Sequence, residues 1–188
     1  MKTDLKDYAK LYKSVVPTDV CDKTVNEMNT IEFQEHQFYN ANTGTSAPRS
    51  GSRELEMSWG NVSTKPSLNE LINVMATKYI QDINMPWFQR YQGWSHIRFN
   101  KYAETKQMAL HCDHIHSMFD GERKGIPILS VLGVLNEDYE GGEFVLFDDY
   151  VLPFEKGDIC IFPSVFLYPH MVKPVTKGTR YSYISWVW

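Results

Sequence analysis

Apolar residues recur at helical spacing in two segments of the first half of the chain. In residues 67–82 they follow one another at steps of three and four, which places them on one stripe of a helix. The stripe consists of Leu68, Leu71, Ile72, Met75, Ala76 and Tyr79. Ser67 and Glu70 form a capping-box pattern, which predicts that this helix begins at Ser67 and packs its stripe against a sheet. A looser apolar spacing predicts a shorter helix over residues 19–28.

From Trp94 onward the chain changes to short segments rich in β-branched and aromatic residues. They predict strands over residues 95–102, 126–136, 143–147, 158–162 and 180–188. Turn signals that contain glycine separate them, at residues 140–142, 156–158 and 177–178. Many short strands at this spacing indicate a mainly β fold with supporting α-helices, built as a sandwich or barrel-like roll with the early helices outside.

The chain length of 188 residues predicts one domain over residues 1–188. Within it, residues 1–90 are expected to supply helices and supporting strands, and residues 91–188 the strand-rich core. Residues 40–53 are rich in Gly, Ser, Thr and Pro and predict a mobile loop that joins two strands. The sequence leaves open whether this loop is a passive connection or a lid over a substrate.

Composition and charge narrow the choice of partners. A hydrophobic fraction of 43% with 22% charged residues is ordinary for a globular protein. The net charge of −4 gives no electrostatic reason to expect a nucleic-acid partner. The longest apolar run is too short and too interrupted to span a bilayer, so no membrane association is expected. Cys21, Cys112 and Cys160 form no CxxC pair, which favours reduced thiols and a cytoplasmic location.

The segment His111-Cys112-Asp113-His114-Ile115-His116 is the densest group of metal-binding side chains, and it contains two competing ligand sets. On an extended backbone successive side chains alternate between faces. His111 and Asp113 would then share one side, and with a distant histidine they would form a two-histidine, one-carboxylate triad that leaves part of an Fe(II) coordination sphere open. Cys112, His114 and His116 would share the other side and suit a closed zinc site.

The C-terminal region favours the iron set. His170 and Arg180 lie ten residues apart with a turn signal between them, and two adjacent strands of a roll could present both to one pocket. Alternation places Ser182, Ile184 and Trp186 on the same face as Arg180. A cation, a hydroxyl, an aliphatic wall and an indole describe a pocket for a small carboxylate, because an arginine fork orients a carboxylate through two parallel hydrogen bonds. The zinc set would leave this arrangement unexplained.

On these residues the segment from 97 to 188 resembles the catalytic core of the Fe(II)/2-oxoglutarate-dependent oxygenases, in their prolyl 4-hydroxylase-like branch. The resemblance rests on an ordered combination of motifs. These are H-x-D at His111 and Asp113, the distal His170, R-x-S at Arg180 and Ser182, and the segments GGEF and KGDICIFPS. It implies a double-stranded β-helix core of the jelly-roll or cupin type.

The resemblance also implies roles for single residues. His111, Asp113 and His170 would bind Fe(II), and Arg180 would pair with the distal carboxylate of the co-substrate 2-oxoglutarate. Ser182 and the hydroxyl of Tyr102 would contact that carboxylate, and Trp186 is a candidate substrate wall. The chain departs from the family pattern at three positions: Glu104 replaces a usual glycine, and Met108 and Val134 stand where some members have tyrosine.

The implied activity is hydroxylation of an unactivated C–H bond with O2, releasing succinate and CO2 and with ascorbate as a possible support for turnover. A peptidyl prolyl residue is the expected target, so the expected partner is a peptide or protein. Two alternatives stay open: an oxygenase for a free amino acid or other small molecule, and a metal-binding roll without turnover.

Overall fold

The structure is a computed structural model that describes residues 4–40, 45–48, 53–88, 90–113 and 127–188. The described helices are a short 3-10 turn (Leu5–Tyr8), α1 (Thr18–Met28) and α2 (Lys65–Ile83). The described strands are β1 (Lys10–Tyr12), β2 (Gln34–Glu35), β3 (Phe38–Asn40), β4 (Thr45–Ala47), β5 (Glu56–Ser58), β6 (Arg98–Tyr102), β7 (Met108–His111), β8 (Leu129–Val134), β9 (Tyr139–Gly141), β10 (Phe144–Leu146), β11 (Tyr150–Leu152), β12 (Ile159–Pro163), β13 (His170–Val172), β14 (Val175–Gly178) and β15 (Arg180–Val187).

Two sheets and a helical layer make up the fold. A seven-stranded antiparallel sheet has the order β1-β12-β8-β15-β6-β5-β2, and a four-stranded sheet has the order β11-β10-β13-β7. Two further pairs, β14-β9 and β3-β4, complete the described strands. The expected mainly β fold with supporting helices is confirmed, and three strands from the first 60 residues belong to the seven-stranded sheet. Among the described residues, neither α1 nor α2 combines the length and the hydrophobicity that a membrane-spanning helix requires.

The helices cover one face of the seven-stranded sheet. The buried stripe of α2 packs with alternate residues of the central strands, such as Phe99, Val131 and Ile161. The helix begins two residues before the predicted start, so the capping-box prediction at Ser67 is wrong. Pro66 is favoured in a first helical turn, and the hydroxyl of Thr64 hydrogen-bonds to that of Thr24 on α1 at 2.6 Å.

The opposite face of the seven-stranded sheet packs against the four-stranded sheet. Leu132, Cys160 and Ile184 meet Phe144 and Val172 in a second buried cluster between the sheets. In β12, Cys160 belongs to this cluster while its neighbours Ile159 and Ile161 face the helices, which is the alternation expected of a strand buried on both sides. The space between the sheets is where the candidate site lies.

Gly133 is the point at which this sheet tolerates no side chain. It pairs with Tyr183 across β8 and β15, and a Cβ atom at this position would lie 2.3 Å from the Tyr183 ring. We expect Gly133→Ala to lower the free energy of unfolding by about 2 kcal/mol, because the overpacked ring has no free volume. Chemical denaturation measures this. Adding Tyr183→Leu should recover part of the loss, and strictly additive effects would show that the clash is not the cause.

Candidate metal centre and carboxylate pocket

His111 and His170 meet across two strands of the smaller sheet. His111 ends β7 and His170 begins β13, and the two residues are direct partners in the antiparallel ladder. Their ring centroids are 4.3 Å apart. Phe144 and Phe162 pack around His170, with centroids at 5.5 and 5.0 Å, so this imidazole is only 4% exposed.

Both imidazoles are oriented by their own backbone. His111 Nδ1 lies 2.8 Å from the carbonyl oxygen of Ala109, and His170 Nδ1 lies 3.0 Å from that of Tyr168. Since a carbonyl oxygen only accepts, each Nδ1 carries the proton and each Nε2 keeps its lone pair for a ligand. Burial lowers the pKa of His170 to about 4, so this ring is neutral at neutral pH. Two such rings are ready metal donors.

Asp113 supplies the third donor. Its Oδ1 lies 3.6 Å from His111 Nε2 and 3.8 Å from His170 Nε2, and one ligand atom from each of the three residues falls within 4.8 Å of the others. Burial opposes ionisation, but the neighbouring imidazoles stabilise the carboxylate once they take up a second proton on acidification. Together with the Ser130 hydroxyl they hold the pKa of Asp113 well below its usual range. The carboxylate is therefore ionised and only 8% exposed.

A serine pair ties this carboxylate to the larger sheet. The Ser130 hydroxyl on β8 donates to Asp113 Oδ2 at 2.5 Å, and the Ser164 hydroxyl is in turn hydrogen-bonded to Ser130. Because Ser130 uses its proton on Asp113, it accepts the proton of Ser164. Both serines are fully buried. This connection fixes Oδ2 and leaves Oδ1 turned toward the histidines, and the sequence prediction missed it.

The competing zinc set is only partly visible. Cys112 lies between two members of the cluster, yet its Sγ donates to the carbonyl oxygen of Phe166 at 3.4 Å and is not part of the donor group. His114 and His116 lie outside the described residues. The predicted convergence of His111 and Asp113 on one side, away from Cys112, is what the structure shows.

Arg180 is buried at the start of β15, opposite Tyr102 on β6. Its Nη1 donates to the Ser182 hydroxyl at 3.1 Å, and its guanidinium lies 5.1 Å from the centre of the Tyr102 ring. The side chain is 1% exposed, and Nε and Nη2 have no hydrogen-bond partner in the described parts of the chain. Gly142 makes room for it, since a Cβ there would lie 3.0 Å from Arg180 Cδ.

The predicted inward face of the last strand is correct. Ile184 and Trp186 join Arg180 and Ser182 on the side that faces the smaller sheet, while Tyr181, Tyr183 and Val187 face the helices. The prediction that His170 and Arg180 lie on adjacent strands is wrong. β14 intervenes and pairs with β9, so His170 belongs to the four-stranded sheet and Arg180 to the seven-stranded one. They approach the same space from opposite walls.

Two further inward residues of β6 were missed. Arg98 and Asn100 share the face of Tyr102, and Arg98 Nε donates to Asn100 Oδ1 at 3.1 Å. The signal was available, because the alternation that selects the partners of Arg180 on β15 also selects residues 98 and 100 once Tyr102 is taken as inward.

Comparison with known proteins agrees with this geometry. Residues 97–188 match the family model described as the 2OG-Fe(II) oxygenase superfamily. A PKHD-type hydroxylase of Idiomarina loihiensis is 36% identical over 94 residues, which is 48% of this chain and 41% of that protein. One from Xylella fastidiosa is 33% identical over 107 residues, covering 48% and 43%. The chain thus spans less than half the length of these curated relatives.

Solved structures share the fold over nearly the whole chain. A Trichoplax adhaerens prolyl hydroxylase in complex with a peptide fragment of the hypoxia inducible factor oxygen degradation domain superposes with a TM-score of 0.69 at 18% identity, covering 97% of this chain and 84% of that one. A viral collagen prolyl hydroxylase from Paramecium Bursaria Chlorella virus-1, in its 2OG complex, gives 0.65 at 15% identity, with coverages of 96% and 94%. The double-stranded β-helix expectation is confirmed. The described chain shares its fold with these solved prolyl hydroxylases. By the family match, residues 97–188 belong to the 2OG-Fe(II) oxygenase superfamily.

Proposed function

We propose that this chain is an Fe(II)- and 2-oxoglutarate-dependent dioxygenase that hydroxylates an unactivated C–H bond in a peptidyl prolyl residue. The observation that carries the proposal is the group formed by His111, Asp113 and His170, whose ligand atoms lie within 4.8 Å of one another. Two imidazole nitrogens and one carboxylate oxygen are the donor set of the non-haem Fe(II) oxygenases, and they leave coordination positions open.

The co-substrate is supported by an independent feature. Arg180 keeps two buried N–H groups without a partner in the described residues, and leaving buried charged donors unpaired is costly unless a ligand completes them. A carboxylate accepts two parallel hydrogen bonds from one guanidinium. We assign the distal carboxylate of 2-oxoglutarate to Arg180, with Ser182 and the buried Tyr102 beside it.

The protein itself orients the metal ligands and excludes water from the site. Bound together, Fe(II) and 2-oxoglutarate supply the activation of O2, with succinate and CO2 as by-products. Ala109 and Tyr168 hold the imidazoles through their carbonyls, Ser130 holds the carboxylate, and the aromatic rings around His170 exclude water. Positioning of the target hydrogen then decides which bond reacts.

The proposed peptidyl prolyl substrate is supported by the names of the proteins that this chain resembles. The curated relatives are named as PKHD-type hydroxylases, and the two solved structures compared above are prolyl hydroxylases, one of them with a bound peptide. Trp186 is proposed as a substrate wall, because it lies on the inward face of β15 at the end opposite Arg180.

A direct assay tests the activity. The purified chain is supplied with Fe(II), ascorbate, O2 and 2-oxoglutarate, and succinate is measured with and without proline-containing peptides. We expect succinate formation to rise with the peptide, and the peptide to gain the mass of one oxygen atom. Free proline and other amino acids serve as the comparison. Turnover with free amino acids alone would replace the peptide substrate, and no binding of 2-oxoglutarate to the metal-loaded protein would refute the proposal.

A further inference from the structure

A second arginine faces the space between the sheets. Arg98 begins β6, pairs with Ile184 on β15, and lies on the same inward face as Asn100 and Tyr102. Its guanidinium carbon is 5.1 Å from the centre of the Trp186 ring, a distance suited to stacking. Arg98 therefore stands beside the proposed substrate wall, at the other end of the strand pair from Arg180.

The described residues around Arg98 do not neutralise its positive charge. One N–H is used by Asn100 Oδ1, and no carboxylate of the described residues lies within ion-pair distance of the guanidinium. Asp113 is near enough to be felt electrostatically, but Ser130 occupies Oδ2 and the two histidines face Oδ1. Burial lowers the pKa of Arg98, and the residue keeps part of its surface accessible. The Arg98 guanidinium is thus largely desolvated but still accessible from the space between the two sheets.

Such a group is built to receive an anion. A guanidinium that lies beside an indole and whose Nε is already hydrogen-bonded loses little further conformational freedom when its remaining N–H groups bind a carboxylate. A buried cation next to a metal site is otherwise unfavourable, because like charges repel. An anionic ligand would neutralise the buried guanidinium and would also reduce its repulsion from the metal.

The spacing separates this anion from the co-substrate. Arg98 and Arg180 are inward residues that differ by four positions along β6, since Arg180 pairs with Tyr102, and four residues of strand span about 13 Å. Two arginines whose backbone positions are this far apart along the strand pair can each bind a different carboxylate. If Arg180 takes the distal carboxylate of 2-oxoglutarate, Arg98 is left for the substrate.

We propose that Arg98 is a specificity-determining residue that binds a carboxylate of the substrate close to the hydroxylated carbon. This rests on the proposed function and names its substrate class as anionic. The carboxylate can be an acidic side chain next to the target residue, the C-terminus of a peptide, or the carboxylate of a free amino acid, and one set of ligands distinguishes these sources.

The test uses matched pairs that differ only in charge. Proline peptides with a flanking Asp or Asn, with a free or amidated C-terminus, and free proline against prolinamide are titrated anaerobically into the protein loaded with Fe(II) and 2-oxoglutarate. For one pair we expect the carboxylate member to bind about 10- to 100-fold more tightly, the range of a charge-assisted hydrogen-bonded contact. Equal affinity within every pair would overturn the proposal.

Variants at residue 98 test whether Arg98 causes the preference for the carboxylate ligand. Arg98→Met keeps a long side chain against Trp186 but removes the charge, and it should reduce the discrimination to less than about threefold while 2-oxoglutarate still binds as in the wild type. Arg98→Lys should retain part of the preference, because the charge stays and the fork is lost. If Arg98→Met weakens 2-oxoglutarate as strongly as the substrate, Arg98 serves the co-substrate and the inference fails. Failure of the wild type to bind 2-oxoglutarate would instead count against the proposed function.

Discussion

Replacing Asp113 by Asn is expected to abolish turnover and to weaken Fe(II) binding by about 100-fold or more. Loss of a hydrogen-bonding group behind a metal ligand already costs 10- to 100-fold in affinity, and here the one anionic donor is removed. The amide has the same shape, and its oxygen can still accept from Ser130, so the fold should persist. Anaerobic calorimetry with Fe(II) measures the affinity, and circular dichroism checks the fold.

The matched control lies one residue away. Cys112→Ser changes a side chain whose sulfur donates to the carbonyl of Phe166, a contact that a hydroxyl can also make. We expect metal affinity within about threefold of the wild type, since Cys112 does not belong to the donor group. The two ligand sets in this segment predict opposite results: tight binding kept in Asp113→Asn and lost in Cys112→Ser would mean that a thiolate zinc site is the true one.

Local periodicity explains what the sequence predicts well. The stripe of α2 and the alternation of β15 each depend on a repeat within one element, and both are confirmed by burial. Once Arg180 is taken as inward, Ser182 and Trp186 must follow, because side chains of a strand alternate with a period of two. The pocket around Arg180 could be predicted for this reason.

The partners across the sheets could not be predicted in the same way. That His170 pairs with His111 depends on β13 lying between β10 and β7, and β13 is only three residues long. So short a strand carries no periodic signal, and its neighbours are set by packing of distant segments. The same holds for Ser130, whose contact with Asp113 joins the seven-stranded sheet to the irregular segment that follows β7. Hence the ligands were found by motif and their mutual placement only by structure.

The start of α2 shows a different limit. Ser67 and Glu70 carry a valid local pattern, yet Pro66 also favours a first turn, and the Thr24–Thr64 hydrogen bond joins the two helices just before that turn. The contact between the two helices thus selects one of two helix starts that the local sequence allows. The predicted division at residue 90 and the role of residues 40–53 stay predictions. Within residues 40–53 the structure describes β4, which pairs antiparallel with the preceding β3, while residues 41–44 and 49–52 lie outside the described residues.

Arg180→Met is expected to weaken co-substrate binding without lowering the stability of the ligand-free protein. The affinity for 2-oxoglutarate should fall by about 100-fold or more, because two charge-assisted hydrogen bonds to the distal carboxylate are lost. The ligand-free protein should be as stable as the wild type or more stable by about 1 kcal/mol, since a buried cation with two unpaired N–H groups is replaced by an apolar chain of similar length. A residue that only supports the fold would show the reverse.

Calorimetry of 2-oxoglutarate with the metal-loaded protein and denaturation of the ligand-free protein give the two readouts. Fe(II) affinity should be unchanged, because Arg180 lies on the sheet opposite the two histidines and outside the donor group. Lys177→Met is the control: this cation of β14 is 72% exposed and paired with Glu140, so its loss should alter neither ligand. If Arg180→Met destabilises the ligand-free protein while 2-oxoglutarate binds within about threefold of its normal affinity, the arginine is structural and the carboxylate pocket is not where we place it.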